Sequence, residues 1–134
     1  MTTEDTRALV TRVYAAYAEG DMDTVFAACA DDICWCSDGS PAVLPWAGRY
    51  DGRAAVATYF QRAAAAVTVE RFELREIIAD GDRAAVVTQV TVRVNTSGRT
   101  ISTHKVDTLT VKDGRIVDFC EYYDTALVSS ALRA

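Results

Sequence analysis

The chain of 134 residues has one histidine, two prolines and no long apolar run. It contains neither a Gly-x-Ser-x-Gly sequence nor a glycine-rich phosphate motif, so nothing in it indicates a serine hydrolase or a nucleotide-binding enzyme. Without about 18 consecutive apolar residues we expect no membrane-spanning helix. The first residues also lack the basic and apolar segments of a signal peptide, so we expect a cytoplasmic protein that contacts no membrane.

Positive charge is scarce. The sequence has 14 Lys and Arg against 19 Asp and Glu, a formal net charge of −5 and a pI near 4.8. The basic residues are scattered, whereas nucleic-acid binding needs them clustered against phosphates, so no nucleic-acid partner is expected. With 50% hydrophobic and 25% charged residues the chain has an ordinary globular composition. Its length suits a single α+β domain over residues 1–134.

The four cysteines are Cys29, Cys34, Cys36 and Cys120. Without a secretory signal they are interpreted as reduced thiols rather than disulfides. A zinc site with His104 as a further ligand would use a Cys-x-Cys pair, which lacks the usual spacing of zinc motifs. We therefore expect no metal and no cofactor.

Helical periodicity dominates the first half of the chain. A helix begins at Thr2 or Thr3 and ends at Gly20, and a shorter one follows with Asp21 or Asp23 as its cap. A third helix is predicted over Ala54 to Ala66. Between the second and third helices we expect a short strand, Ile33 to Cys36, and a loop to Arg53 whose large apolar residues close over something.

The second half alternates with a period of two. The pattern predicts four strands in an antiparallel meander, and a tail from Thr125 that extends the last strand or forms a short helix. Helices followed by strands indicate an α+β domain with the helices on one face of the sheet. The strands are predicted over Val67 to Ala79, Arg83 to Val94, Thr100 to Lys112 and Arg115 to Tyr123.

The last two strands form the most informative stretch. Asp113-Gly114 is a strong hairpin signal because glycine supplies the positive φ that the turn needs. Alternation puts Asp107 on the more apolar face of its strand, with His104 on the opposite face. The inward set of the first strand is Thr103, Lys105, Asp107, Leu109 and Val111, and that of the second is Val117, Phe119, Glu121 and Tyr123.

Several short sequence segments, in a fixed order along the chain, resemble those of one superfamily. The segments are Gly20-Asp21, Ala30-Asp31-Asp32, the stretch from Trp46 to Arg53, and the stretch from Asp113 to Asp124. They are similar to the nuclear-transport-factor-two-like superfamily, and most to its SnoaL-like polyketide cyclase branch, which neighbours ketosteroid isomerase. The resemblance implies a cone-shaped curved antiparallel sheet wrapped around three N-terminal helices, with an apolar pocket. It also implies a homodimer formed through the sheet.

The resemblance implies roles for single residues. Asp107 falls where ketosteroid isomerase has the protonated aspartate of its oxyanion hole, and Glu121 where SnoaL-like cyclases have a catalytic acid. Other positions depart from the pattern. The isomerase base aligns with Ser37, and Asp38 lies one residue late. The helical tyrosine of the isomerase aligns nearest Val13, with Tyr14 one position off. The Arg and Asp of epoxide hydrolases in this superfamily correspond to Gln89 and Thr91.

Two functions from different classes follow. In the first, the chain is a cofactor-free enzyme that acts by acid/base chemistry on a small hydrophobic carbonyl- or epoxide-bearing molecule, as an isomerase, cyclase, dehydratase or hydrolase. Asp107 polarises or protonates an oxygen of the substrate, and Glu121, or less favourably Asp38, moves the proton, because burial and a second carboxyl raise a carboxyl pKa. Aromatic residues hold the substrate, namely Tyr14, Tyr17, Trp35, Trp46, Tyr59, Phe60 and Tyr123.

In the second, the chain is a non-catalytic ligand-binding or dimerisation module. Its two acids then make structural hydrogen bonds, for instance to tyrosine hydroxyls or to Lys105, and most of the aromatic residues are plain core. His104 is predicted on the outer face in either case, at the surface or in a dimer interface.

Overall fold

The fold is built from four helices and six strands, in a computed structural model that describes residues 1–133. In chain order the elements are α1 (Thr3–Ala18), α2 (Met22–Ala28), β1 (Cys29–Ser37), β2 (Gly48–Asp51), α3 (Arg53–Ala66), β3 (Val67–Asp80), β4 (Arg83–Val94), β5 (Thr100–Lys112), β6 (Arg115–Tyr123) and α4 (Thr125–Leu132). The predicted α+β fold class is confirmed.

Local sequence signals set the helix ends. Thr2 caps α1 in a reciprocal capping box with Asp5, and Asp21 caps α2 by accepting from the Thr24 N–H. Asp124 caps α4 in the same way, with a bond from the Leu127 N–H. Of the two predictions for the tail, the short helix is therefore the one that forms.

The six strands form one sheet in the order β2-β1-β6-β5-β4-β3. The predicted meander occupies β3 to β6, and each of its neighbouring pairs is antiparallel. Strands β1 and β6, however, pair in parallel. The sheet is thus not wholly antiparallel, because β1 lies beside β6 and runs in the same direction.

The strand β2 was not predicted. Residues 37–53 were expected to form a loop, but β1 includes Ser37, and Gly48–Asp51 pairs with the end of β1 as a four-residue edge strand. A stretch this short carries too little alternation to be recognised. The rest of the expected loop does close over the core, since Leu44 and Trp46 are buried.

The hairpin between β5 and β6 turns at Asp113 and Gly114, both with positive φ, as its sequence predicts. A bulge then interrupts the ladder: Thr110 pairs with Asp118 but Val111 pairs with Ile116. The extra residue shifts the first part of β6 by one position. Ile116, rather than the predicted Val117, is therefore the buried residue there, while Phe119 and Glu121 face inward as predicted.

Curvature gives the sheet a concave side. Strand β3 has two register shifts against β4, between Val69 and Arg71 and between Leu74 and Glu76, and such bulges bend a strand. Helix α1 packs against β3 and β4, and α3 against β1, β2 and β3.

None of the helices in the described part of the chain has the length and apolarity that crossing a membrane requires.

Candidate functional site

The centre of the concave face is an ion cluster around Lys105. Its Nζ lies 2.6 Å from Asp107 Oδ1 and 3.2 Å from Glu121 Oε1. Lys105 and Asp107 are two positions apart on β5, so both point to the same side. Glu121 stands directly opposite Asp107 on β6. The pairing of β5 with β6 therefore brings one ammonium group and two carboxylates together.

Three hydroxyl groups complete the cluster. The Tyr14 hydroxyl of α1 donates to Asp107 Oδ2 over 2.5 Å. Glu121 Oε2 accepts from the Tyr59 hydroxyl of α3 at 2.6 Å and from Ser37 Oγ of β1 at 2.5 Å. Every carboxylate oxygen of the two buried acids thus has a hydrogen-bond or ion-pair partner, as groups removed from water require.

The charges do not cancel when both acids are ionised, since two carboxylates face one ammonium. Burial raises the pKa of Asp107 above its ordinary 3.8; the Lys105 ammonium lowers it and Glu121 raises it, and the net direction is upward. Burial alone would lower the pKa of Lys105, but the neighbouring Asp107 and Glu121 carboxylates outweigh it and raise that pKa. Lys105 therefore remains an ammonium group, and the cluster can take up a proton at Asp107.

The tyrosines of the cluster are held neutral. Burial, followed by the adjacent Asp107, raises the pKa of Tyr14 well above its ordinary value. Burial and the adjacent Glu121 do the same for Tyr59. Both hydroxyls are consequently donors near neutral pH.

Two adjoining cavities open beside this cluster. The first has a volume of about 90 Å³ and is bordered by Asp107, and the second has about 120 Å³ and is bordered by Glu121. Lys105 borders both. The remaining walls are mostly apolar and aromatic, and Tyr17, Tyr59, Phe60 and Phe72 are common to the two cavities.

The seven aromatic residues predicted to hold a substrate all border a cavity. Tyr14 and Trp35 line the first, Trp46 and Tyr123 the second, and Tyr17, Tyr59 and Phe60 both. The Trp46 indole also donates to the Tyr123 hydroxyl at 2.9 Å. Their contact with a substrate stays a prediction.

Other predicted positions lie elsewhere. Asp38 is exposed just beyond β1 and borders neither cavity, whereas its neighbour Ser37 contacts Glu121. His104 is exposed on the outer face, paired in the ladder with Gln89. Gln89 and Thr91 both lie within hydrogen-bonding distance of the exposed Ser102, so the pair that matches the epoxide hydrolases points away from the cavities.

The comparison with ketosteroid isomerase placed Tyr14 one helical position away from the expected tyrosine. In the structure Tyr14 nevertheless reaches Asp107. The alignment offset of one residue thus does not separate the hydroxyl from the acid. Helix position depends on how α1 packs against the sheet, which sequence spacing does not specify.

Sequence reasoning missed the central role of Lys105 and the contribution of Ser37. Alternation had placed Lys105 on the face of Asp107, but only as a possible hydrogen-bond partner. A lysine among inward-facing residues, two positions from a buried acid, was the signal that could have marked it.

The four cysteines are free thiols. Cys29 is buried and borders the first cavity, while Cys36 and Cys120 stand opposite each other on the parallel strands β1 and β6. Burial raises the pKa of Cys29 to about 11. Within residues 1–133 no group of three or more His, Cys, Asp or Glu side chains is arranged to hold a metal ion.

Comparisons with known proteins agree with the fold. The SnoaL-like domain family matches residues 10–119, so the chain belongs to that family. No curated protein shows significant sequence similarity to it.

Among solved structures, an NTF2-like protein from Burkholderia xenovorans LB400 is 32% identical, with 98% of each chain covered and a TM-score of 0.85. An NTF2-like protein from Burkholderia thailandensis E264 is 25% identical over 100% of both chains, with a TM-score of 0.88. A candidate polyketide cyclase from Xanthomonas campestris pv. campestris is 24% identical, with 98% of this chain and 99% of that chain covered and a TM-score of 0.79.

Proposed function

We propose that the protein is a cofactor-free acid/base enzyme that acts on a small hydrophobic molecule bearing a carbonyl group. The observation that carries the proposal is the cluster of half-buried Lys105 with buried Asp107 and Glu121, which borders two apolar cavities. Perturbed ionisable groups beside a cavity are typical of catalytic sites. A carbonyl is preferred to an epoxide because Gln89 and Thr91 lie on the outer face.

Lys105 is the group that would polarise the carbonyl. An ammonium group has three N–H donors, and the two carboxylates account for two of them. The third can reach a substrate oxygen in a cavity that Lys105 borders. Both oxygens of Asp107 already accept hydrogen bonds, which makes Lys105 a better donor to the substrate than the acid first expected in that role.

Asp107 would then accept the proton. A C–H bond next to the carbonyl breaks, its electron pair forms a C=C bond, and the carbonyl π pair moves to the oxygen facing Lys105. The proton goes to the Asp107 carboxylate, whose raised pKa makes it a stronger base than an ordinary carboxylate. If the substrate has a C=C bond one carbon beyond the broken C–H bond, the proton returns to the far carbon of that bond, the double bond moves next to the carbonyl, and the oxygen's electron pair restores the C=O bond, which completes an isomerisation. Glu121 holds Lys105 in place, and Tyr59 and Ser37 hold Glu121.

The test is proton exchange at an aromatic ketone of one ring. Cavities of about 90 and 120 Å³ call for a small ligand, and acetophenone is the probe because it is a small aromatic ketone. In D₂O the wild-type protein should speed the loss of the methyl proton signal, followed by NMR. Asp107→Asn should lower the protein-dependent rate about 100-fold or more, the usual contribution of a general base.

Asp118→Asn is the matched control, because Asp118 is an exposed acid on β6. The Asp118→Asn variant should catalyse the exchange of the acetophenone methyl protons at the wild-type rate. Full exchange activity in a folded Asp107→Asn variant would contradict the assignment of the base.

A non-catalytic ligand-binding module is the second candidate. It is favoured by one observation, namely that all four carboxylate oxygens of Asp107 and Glu121 already have protein partners. In this case acetophenone binds, but its methyl protons exchange no faster than in buffer.

We further propose a homodimer in the cytoplasm, formed through the outer face of the sheet. Support comes from Tyr122, which is 45% exposed there, and from half-buried Val87 and Val106 on neighbouring strands. In a sedimentation experiment we expect the wild type at twice the monomer mass and the Val106→Glu variant at the monomer mass. A monomeric wild type would refute it.

A further inference from the structure

Two half-buried thiols face each other on the outer side of the sheet. Cys36 of β1 stands directly opposite Cys120 of the parallel strand β6, and both are free. Their chain neighbours Ser37 and Glu121 are buried on the inner side, and successive residues of a strand point in opposite directions. The thiols therefore lie on the other face of the sheet from the ion cluster, and the proposed acid/base chemistry gives them no role.

The two sulfur atoms are near neighbours. The Cys120 thiol acts on the pKa of Cys36 through a hydrogen bond and through its charge. Neighbouring strands are about 4.8 Å apart, which is within the range of about 4.4–6.8 Å that separates the Cα atoms of disulfide-bonded cysteines. Both side chains point to the same side, so a disulfide can join them without a rearrangement of the sheet.

The two thiols are not equivalent. Burial, followed by the hydrogen bond and the charge of Cys120, raises the pKa of Cys36 to about 12. Cys36 therefore keeps its proton when Cys120 loses its own. Because the thiolate is the nucleophilic form of cysteine, Cys120 is the sulfur that attacks first, and Cys36 is the thiol that completes a second step.

A third thiol on the same face has a different setting. Cys34 lies two positions before Cys36 on β1 and is also half-buried. It stands opposite Asp118 of β6 on one side and Asp51 of β2 on the other. Neither of these neighbours offers a sulfur, so Cys34 is a built-in comparison for the pair.

We propose that Cys36 and Cys120 form a modification site that hydroperoxides oxidise to a reversible disulfide within one chain. With hydrogen peroxide, the Cys120 thiolate attacks one oxygen, so that an S–O bond forms, the O–O bond breaks and hydroxide leaves. The Cys36 sulfur then attacks the Cys120 sulfur. The S–S bond forms, the S–O bond breaks, and the oxygen leaves as water with the Cys36 proton. Two thiols are oxidised, and one peroxide is reduced to two waters.

The disulfide should be easy to reduce. The ladder between β1 and β6 holds the two backbones at a spacing of about 4.8 Å, whereas disulfides most often join Cα atoms about 5.5–6 Å apart. A bond at the short end of this range carries strain, and strained or partly exposed disulfides are the labile ones. Reduced glutathione should therefore restore both thiols.

The experiment treats the reduced wild type with hydrogen peroxide after removal of the reductant. Intact-mass spectrometry should show the loss of two hydrogen atoms, and alkylation should find two of the four thiols blocked. Fragmentation of the linked peptides should place the bond between Cys36 and Cys120 without the help of a variant. Four unchanged thiols, a bond to Cys29 or Cys34, or a disulfide that excess reduced glutathione leaves intact would overturn the proposal.

A link between two copies of the chain is the competing product, because the outer face also carries the proposed dimer interface. On a non-reducing denaturing gel the oxidised wild type should migrate as a single chain. A band at twice that mass as the main product would show that the thiols react between copies, and it would contradict the proposal.

Three variants test the assigned order of attack. Cys34→Ser is the matched control, and it should form the disulfide at the wild-type rate. Cys36→Ser leaves Cys120 without its partner, so oxidation should stop at a sulfenic acid that dimedone traps. Cys120→Ser should leave Cys36 unreacted under the same exposure. Dimedone labelling at Cys36 instead of Cys120, or a disulfide in either of the last two variants, would refute these roles.

Discussion

The Tyr14 hydroxyl lies 2.5 Å from Asp107, although 93 positions separate the two residues in the chain. The bond joins the first helix to the strand that carries the ion cluster, so it links helix packing to the protonation of the acid. Because the hydrogen bond favours the ionised carboxylate, it holds down a pKa that burial raises.

Removing this hydroxyl should therefore raise the Asp107 pKa further. We expect Tyr14→Phe to move the carboxyl titration upward relative to the wild type, measured by ¹³C NMR of labelled aspartate. Tyr17→Phe is the control, since Tyr17 borders the same cavity but is not the hydroxyl bonded to Asp107. An Asp107 titration unchanged in Tyr14→Phe would contradict the role given to this bond.

The raised pKa of Asp107 should make stability depend on pH. Above the ordinary pKa of 3.8 the folded state holds a proton that the unfolded state has lost, so the contribution of Asp107 is present at low pH and is lost as the pH rises through the folded-state pKa. We expect the free energy of unfolding of the wild type, relative to Asp107→Asn, to decline across this window. Urea denaturation at several pH values measures it.

Asp118→Asn supplies the comparison for that series, because it also removes one carboxyl but from an exposed position. If the free energy of unfolding of the wild type, relative to Asp107→Asn, instead increased with pH, the assigned upward direction of the Asp107 pKa would be wrong.

Loss of the lysine should be the most damaging single change in the cluster. Lys105→Met leaves two buried carboxylates without their cation, and breaking a buried ion pair costs about 3–5 kcal/mol. Urea denaturation at pH 7 tests this, with Lys112→Met as the exposed control. The deficit should shrink toward pH 4, where a protonated carboxyl no longer needs the ammonium. A loss no greater than that of the control would argue against a buried pair.

The two donors to Glu121 should act together. Ser37→Ala and Tyr59→Phe each remove one hydrogen bond to the same Oε2 atom, at about 1–3 kcal/mol each. Because they share a partner, the double variant should depart from the sum of the single ones. Ser102→Ala, on the exposed outer face, is the control. Strict additivity in a double-mutant cycle would indicate that the donors act independently.

Much of this site follows from local sequence. The Asp113-Gly114 turn and the alternation of β5 place Lys105 and Asp107 on the inward face, and β6 brings Glu121 opposite. These features depend on strand geometry and on one tight turn, which a few neighbouring residues determine. For the same reason His104 was correctly predicted on the outer face.

The bulge in β6 shows where local reasoning stops. Uninterrupted alternation predicts Val117 inward, but the register shift buries Ile116 instead. The extra residue of a bulge is defined by pairing between two strands, which alternation within one strand does not specify.

The sequence by itself determined the first three helices, the four strands of the meander, the hairpin turn and the inward direction of the two acids, because each rests on contacts between near neighbours. Only the tertiary structure decided which groups meet the acids. Tyr14, Tyr59 and Ser37 come from three other elements, and the pairing of β1 with β6 brings Trp35 against Phe119. These side-chain contacts depend on packing between segments that are distant in sequence. A shift of one residue in helix position or strand register would change the partners.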